Sequence, residues 1–274
     1  MRTAWPGARM AISALFIFVS LPLLGQTAAD DIKQGDEHFA KFDDARALQD
    51  YLKAAQAEPA NYEALWKTSR AYFDVGGFMR PTNSSAADEQ RKIYSDSMSY
   101  ARRAIKADPN GTWGHLFLAA AWGKYVLTHV LTQGKKEQVK ASKQIRVEID
   151  KAIELDPKND LAYHALGRWH RQMAEIGGVQ RFFGRLIYGS IPKGTYNESE
   201  KYLKKAIELN PNYTIHYLEL GRTYLDMKKP DLAEQEFEKV LQAPITTSRC
   251  VINKEEARAE LDALKKGGNR PSGF

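Results

Sequence analysis

The chain has 274 residues, 43% hydrophobic and 27% charged, with a formal charge of +6, which allows a sizeable core and excludes a disordered chain. The positive charge is spread along the sequence without basic clusters interleaved with aromatics, which argues against a nucleic-acid partner. Cys250 is the only cysteine, so no internal disulfide can form and stability must come from packing.

Residues 1–29 differ from the rest. Arg2 and Arg9 form a short basic lead, Met10 to Leu24 is apolar, and Thr27-Ala28-Ala29 supplies small residues of the kind a signal peptidase reads. This pattern predicts a cleaved secretory signal peptide and a periplasmic or secreted mature chain. The alternative, an uncleaved anchor, is disfavoured because Ser20 and Pro22 interrupt an apolar run already short of the ~20 residues a span needs. Without this segment the charge falls to +4, since it carries two arginines and no acid.

From residue 30 to 266 the spacing predicts one repeat domain. Tyr51–Pro59, Ala101–Pro109, Ile149–Pro157 and Tyr202–Pro211 align, and each has an alanine five positions before its proline: Ala54, Ala104, Ala152 and Ala206. The proline ends one helix, because it disfavours helical geometry in the residue before it. An Asn or Asp nearby caps the next. A small residue at a fixed place marks where two helices cross. In the last unit, Tyr217, Leu220, Gly221 and Tyr224 are followed by Ala233, Phe237 and Val240, the spacing of the 34-residue tetratricopeptide repeat.

The expected architecture is therefore all-α: a superhelix of about five helical hairpins, roughly 30–60, 60–109, 110–157, 158–211 and 212–245. The middle units are expanded, with proline spacings of 50, 48 and 54 residues. The excess falls at 76–89, 127–140 and 177–195, where parts should be lengthened helices. Ala257, Leu261 and Leu264 form one apolar stripe on a closing helix at about 254–265, covering the end of the stack. Residues 267–274 are expected to be a disordered tail.

Over residues 44–266 the chain resembles the regulator of microtubule dynamics family, a tetratricopeptide-like group. The resemblance rests on Glu63-Ala64-Leu65-Trp66, on expanded middle repeats closing in Asp-Pro or Asn-Pro, and on Gln180-Arg181 followed by an apolar run to Pro192. Thr195-Tyr196 and the run from Leu220-Gly221-Arg222 to Leu225 complete it. It implies an all-helical superhelix with an adaptor role and, as in the animal members, association with microtubules or organelle contacts. The export signal separates this chain from those members.

No sequence signature of a catalytic, metal or cofactor site is present: there is no His-Glu-x-x-His, Gly-x-Ser-x-Gly or phosphate loop. No two of the six histidines stand three or four residues apart, and His38 and His170 fall on a repeat position usually filled by a core aromatic. The chain is expected not to be an enzyme.

The first helix of each unit should line the concave side, with inward positions 4, 7, 11 and 14 residues after the preceding proline. They include Trp66, Arg70 and Phe73; Trp113 and Leu116; His164, Arg168 and Arg171; and Leu218 and Arg222. Offset 11 reads Arg70, Ala120, Arg168, Arg222. An arginine column flanked by aromatics suits a protein or peptide partner, or a small anionic ligand as in a solute-uptake accessory protein, through forked hydrogen bonds and stacking. The competing expectation pairs these arginines with acids on neighbouring helices. A second candidate is the insertion 179–192, with Arg181, Phe182, Phe183, Arg185 and Leu186. It should be either an interfacial helix meeting a membrane or partner, or a helix buried across the concave side, which its apolar spread favours.

Overall fold

In the computed structural model, residues 27–128, 134–177, 184, 186–187 and 189–266 are described. Eleven helices lie among them: α1 (Ala28–Ala40), α2 (Asp44–Ala57), α3 (Tyr62–Phe78), α4 (Ser84–Ala107), α5 (Thr112–Thr128), α6 (Lys135–Leu155), α7 (Asp160–Ala174), α8 (Tyr196–Leu209), α9 (Thr214–Asp226), α10 (Pro230–Gln242) and α11 (Ser248–Lys265). They pair as five antiparallel hairpins, α1/α2 to α9/α10, and α11 packs against α9 and α10.

The four aligned alanines are the joints of this stack. Ala54, Ala104, Ala152 and Ala206 are each 0% exposed. Each carbonyl accepts the backbone N–H that closes its helix, from Glu58, Asp108, Asp156 and Asn210, at 2.9–3.0 Å. The next helix then starts on a side-chain cap where Asn is available: Asn61 accepts from Ala64 N–H and Asn159 from Ala162 N–H. At α5 no Asn stands in that place, and the Tyr62 hydroxyl accepts the Trp113 N–H instead, at 3.0 Å.

Glycine sets the distance between the two helices of a hairpin. A Cβ at Gly35 would stand 2.5 Å from the Tyr51 ring, and one at Gly221 would stand 2.5 Å from the Phe237 ring. Both rings are fully buried. The core is a series of linked clusters: around Ala54, Leu65 and Ala104, then Met98, Phe117 and Leu118, then Ile149, Leu166 and Trp169, and finally Leu203, Leu220, Phe237 and Leu261. Such an array grows by adding interfaces between neighbours.

Two of the three expansions, those at 76–89 and 127–140, include lengthened helices. Helix α4 runs 24 residues and α6 runs 21. The closing helix begins at Ser248, six residues earlier than its apolar stripe indicated. Its extra turns are held by polar burial that a hydrophobic stripe does not reveal: Asn253 Nδ2 donates to Thr214 Oγ1 at 2.8 Å, and Cys250 is buried among Thr246 and Thr247.

At the N-terminus, α1 starts at Ala28, ahead of the expected domain boundary. Thr27 and Asp30 form a reciprocal capping box, and Ala28 packs in the first core cluster. Among the described residues no helix is long and apolar enough to cross a membrane. The expected signal segment, apart from residues 27–29, and the expected tail at 267–274 lie outside the described residues.

Candidate functional site: the concave interior

Helices α3, α5, α7 and α9, whose polar and aromatic positions recur at fixed offsets, supply the inward residues, and the structure sorts them into three groups. The first is an aromatic stack. Trp66 and Trp113 lie with ring centroids 5.2 Å apart, and Phe117 packs against both at 6.2 Å. Phe73 tilts against Phe117 and Tyr94. Trp66, Phe73 and Trp113 are half-buried and stack mostly on one another and on the buried Phe117 and Tyr94.

The second group, expected among the residues of a partner-binding groove, is buried between hairpins. Leu116 and Leu218 are core residues, and His164, Arg171 and Arg222 are buried with them. The arginines are paired with acids from their own helix and from adjacent elements. Arg171 donates to Glu219 at 3.1 Å, and also to Asp226 and Glu175 at 3.1 Å. Arg222 donates to Glu256 and Glu260 at 3.0 Å and to Glu219 at 3.3 Å. Burial would raise the Glu219 carboxyl, yet the guanidiniums of Arg171, Arg168 and Arg222 hold it well below the usual carboxylate range. For Arg171 and Arg222 the pairing alternative is therefore the correct one.

Arg70 and Arg168 form the third group. Arg70 has no carboxylate partner among the described residues. It lies 3.9 Å from the Phe39 ring centroid and 5.2 Å from that of Trp66, and donates to the Tyr51 hydroxyl at 3.2 Å. Its buried Nε meets no acceptor. Arg168 Nε is likewise buried and unmatched.

Three residues that sequence spacing did not single out share this interior. Lys124 extends from the lengthened end of α5, and burial followed by the charges of Arg168 and Arg249 presses its ammonium down to about 7. Asp74 on α3 is pushed up to about 6, chiefly by burial, although Arg70 and Arg249 oppose the shift. Arg249 on α11 reaches back to α3, donating to the Gly77 carbonyl at 3.1 Å and covering the Phe78 ring. Lys124 was legible in principle, lying one residue past the offset-14 position. Arg249 was not, because nothing in its neighbourhood announced a helix.

Among the histidines, His170 is the packed core residue expected, edge-on to Trp169, with its Nε2 accepting from Arg146 at 3.1 Å. His38 is instead half-buried, 2.7 Å from Asp50. A pair invisible to local spacing is His164 with His216, from α7 and α9. Their Nδ1 atoms stand 3.3 Å apart, and His216 Nε2 donates to Asp160 at 2.9 Å. Burial and the neighbouring His216 press the His164 imidazole down to about 3, so it is neutral at ordinary pH. Among the described residues, no group of three or more His, Cys, Asp or Glu is placed to hold a metal ion.

In the insertion, Arg181, Phe182, Phe183 and Arg185 lie outside the described residues. Leu186 and the adjacent Ile187 are 71% and 68% exposed. Burial across the concave side, the favoured expectation, does not hold for these two. Neither is covered by a hairpin.

Comparison with known proteins agrees with this architecture. The chain is 28% identical to regulator of microtubule dynamics protein 1 of Mus musculus over 236 residues, 80% of this chain and 74% of that protein. The Caenorhabditis elegans protein of the same name is 23% identical over 214 residues, covering 78% of this chain and 90% of its own. The chain spans only 51% of the human protein and 61% of the bovine one. Among solved structures, the thermophilic TPR protein TTC0263 of Thermus thermophilus superposes with a TM-score of 0.58 at 15% identity, over 85% of this chain and 99% of that one. It shares the fold. Residues 31–266 match the family described as regulator of microtubule dynamics protein 1-3, and the chain belongs to that family.

Proposed function

We propose that the chain is a non-catalytic binding scaffold, exported by its N-terminal segment, that holds a protein or peptide partner along its concave side. One observation carries this reading. At the inward offset-11 positions, neither Arg70 nor Arg168 forms an ion pair with a carboxylate of the described residues, each keeps a buried Nε with no acceptor, and Arg70 lies beside the Trp66–Trp113 stack. Forked donors next to aromatic faces suit extended, acid-bearing segments. Replacing Arg70 and Arg168 together with alanine should abolish capture of partners from the native envelope. Undiminished capture by the double variant would refute the reading.

Export is part of the proposal, because an exported chain does not meet tubulin, whatever the names of its relatives. Mass spectrometry of the mature N-terminus tests it: a chain that keeps Met10 to Leu24 and faces the cytosol reopens the microtubule role. The structure adds a constraint, since a cut after Ala29 would remove both the Thr27 cap and the buried Ala28.

A second reading concerns the insertion. The exposure of Leu186 and Ile187 favours contact with a lipid surface or partner over closure of the groove. Flotation with liposomes that disappears in Leu186→Ser/Ile187→Ser would support lipid contact, and its absence in the unmodified protein would remove it.

A further inference from the structure

Helix α6 presents a basic face to the outside of the stack. At about 100° per residue, Lys136, Lys140, Lys143 and Val147 fall within about 60° of its circumference. All four are exposed, Val147 by 63%. On the opposite side of the helix, Ile145 and Ile149 pack into the core with Leu166 and Trp169. Among the described residues, no carboxylate lies within ion-pairing distance of the three lysines. Further along α6 the charges are matched, Arg146 by Asp150 and Lys151 by Glu154. Lys201, Lys204 and Lys205 on α8 are likewise each paired with an acid of their own helix.

Lys143 joins this face to the insertion, since its Nζ reaches Ser190 Oγ at 3.4 Å. Ile187 is three residues from Ser190, so at most about 11 Å of chain separates them. Ile187 and Leu186 are the most exposed large apolar side chains of that segment, at 68% and 71%.

A solvated lysine or a single exposed aliphatic residue is ordinary on a surface. Three unpaired lysines joined to three exposed aliphatic side chains make an amphipathic patch. We infer that the α6 face and the adjoining Leu186 and Ile187 form a docking surface for an anionic lipid membrane. The ammonium groups, on flexible stems, meet headgroup phosphates while the aliphatic side chains enter the acyl boundary. An acidic protein fits less well, because protein interfaces favour arginine and aromatic anchors and are depleted in lysine. The inference rests on the lipid contact of Leu186 and Ile187, and adds the helix that reads lipid charge.

Flotation of the purified mature protein with phosphatidylcholine vesicles, with and without about one-third phosphatidylglycerol, tests it at about 0.15 M salt. The expected result is flotation with the anionic vesicles and far less with the zwitterionic ones. Lys136→Gln/Lys140→Gln/Lys143→Gln should weaken anionic partitioning by about 100-fold. Lys201→Gln/Lys204→Gln/Lys205→Gln, which removes the same charge from α8, should change it little. Val147→Ser/Leu186→Ser/Ile187→Ser should weaken it as well. Equal flotation with both vesicle types would overturn the basic face while leaving the lipid contact standing. Equal losses in the α6 and α8 variants would overturn it too, by showing an effect of net charge alone. Undiminished flotation of the serine variant would remove the apolar contact and the combined surface with it. Absence of flotation, together with binding of polyglutamate that the α6 variant loses, would assign the face to an acidic protein and overturn the membrane.

Discussion

Arg168 and Arg171 stand one turn apart on α7 and meet opposite environments. Arg171 faces the seam with α9, where Glu219, Asp226 and Glu175 close around it. Arg168 makes no direct ion pair among the described residues, and Glu219 acts on it only through the longer-range field it shares with Arg171 and Arg222. The seam is a compensated ionic network, which resists change because removing one charge strands the others. Arg168 has no such direct acid contact, and its charge should be removable at less cost. A cation's contribution to the fold thus depends on which side of the helix it occupies.

The largest expected effect breaks the seam. Glu219→Gln would leave Arg171 and Arg222 with a neutral amide at their shared acceptor, and should cost about 3–5 kcal/mol in urea denaturation. A loss under about 1 kcal/mol would mean that the seam is no more structural than the interior.

Acidification probes the same seam through His164. Its folded value near 3 lies below the unfolded 6.5, so the unfolded chain binds the extra proton first. The resulting stability is complete above about pH 6.5 and is lost as pH falls through that range, by roughly 1–2 kcal/mol between about pH 7 and 5. His170, also pressed down by burial, adds in the same direction, whereas His115, raised by Glu148, opposes it. Asp160, held low by His216, gives way only below its ordinary carboxylate range. Denaturation at the two pH values should show the drop, and His164→Leu should flatten it.

Arg168→Met sharpens the contrast from the other side. Its stability should stay within about 1 kcal/mol of the parent, because a buried Nε–H without an acceptor is lost and the apolar stem is kept. A clear loss would place Arg168 with Arg171 after all. The smallest effect belongs to Gly77→Ala. The added methyl meets the tip of the Arg249 side chain, which can swing aside, so the cost should stay below about 1 kcal/mol. The contact across the ends of the stack would nevertheless be lost, which hydrogen exchange at α11 can detect.

Much of the fold was legible because it is written in local spacing. The alanines before the prolines and the glycines opposite large rings are constraints within one hairpin, and they recur. The candidate site was legible only in part. Offset counting identifies which positions turn inward, and Arg70 and Arg168 do so without acid partners. It cannot say which inward arginines will meet an acid, because Glu219 reaches Arg171 across the seam between hairpins, and Glu256 and Glu260 reach Arg222 through the packing of α11. His164 and His216 are 52 residues apart and meet for the same reason. They stand at different offsets, 7 residues after Pro157 and 5 after Pro211, so counting positions repeat by repeat does not pair them.

The reach of Arg249 to Gly77 spans 172 residues of sequence, and Arg80 meets Glu256 beside it. Repeat solenoids commonly behave as springs, each unit touching only its neighbours, so their mouths widen or narrow with small changes of twist. Here two side chains tie the end of the coil to an early turn. Widening the mouth must first break that clasp, which gives the array a set aperture and a tripwire: whatever forces the coil apart releases Arg249.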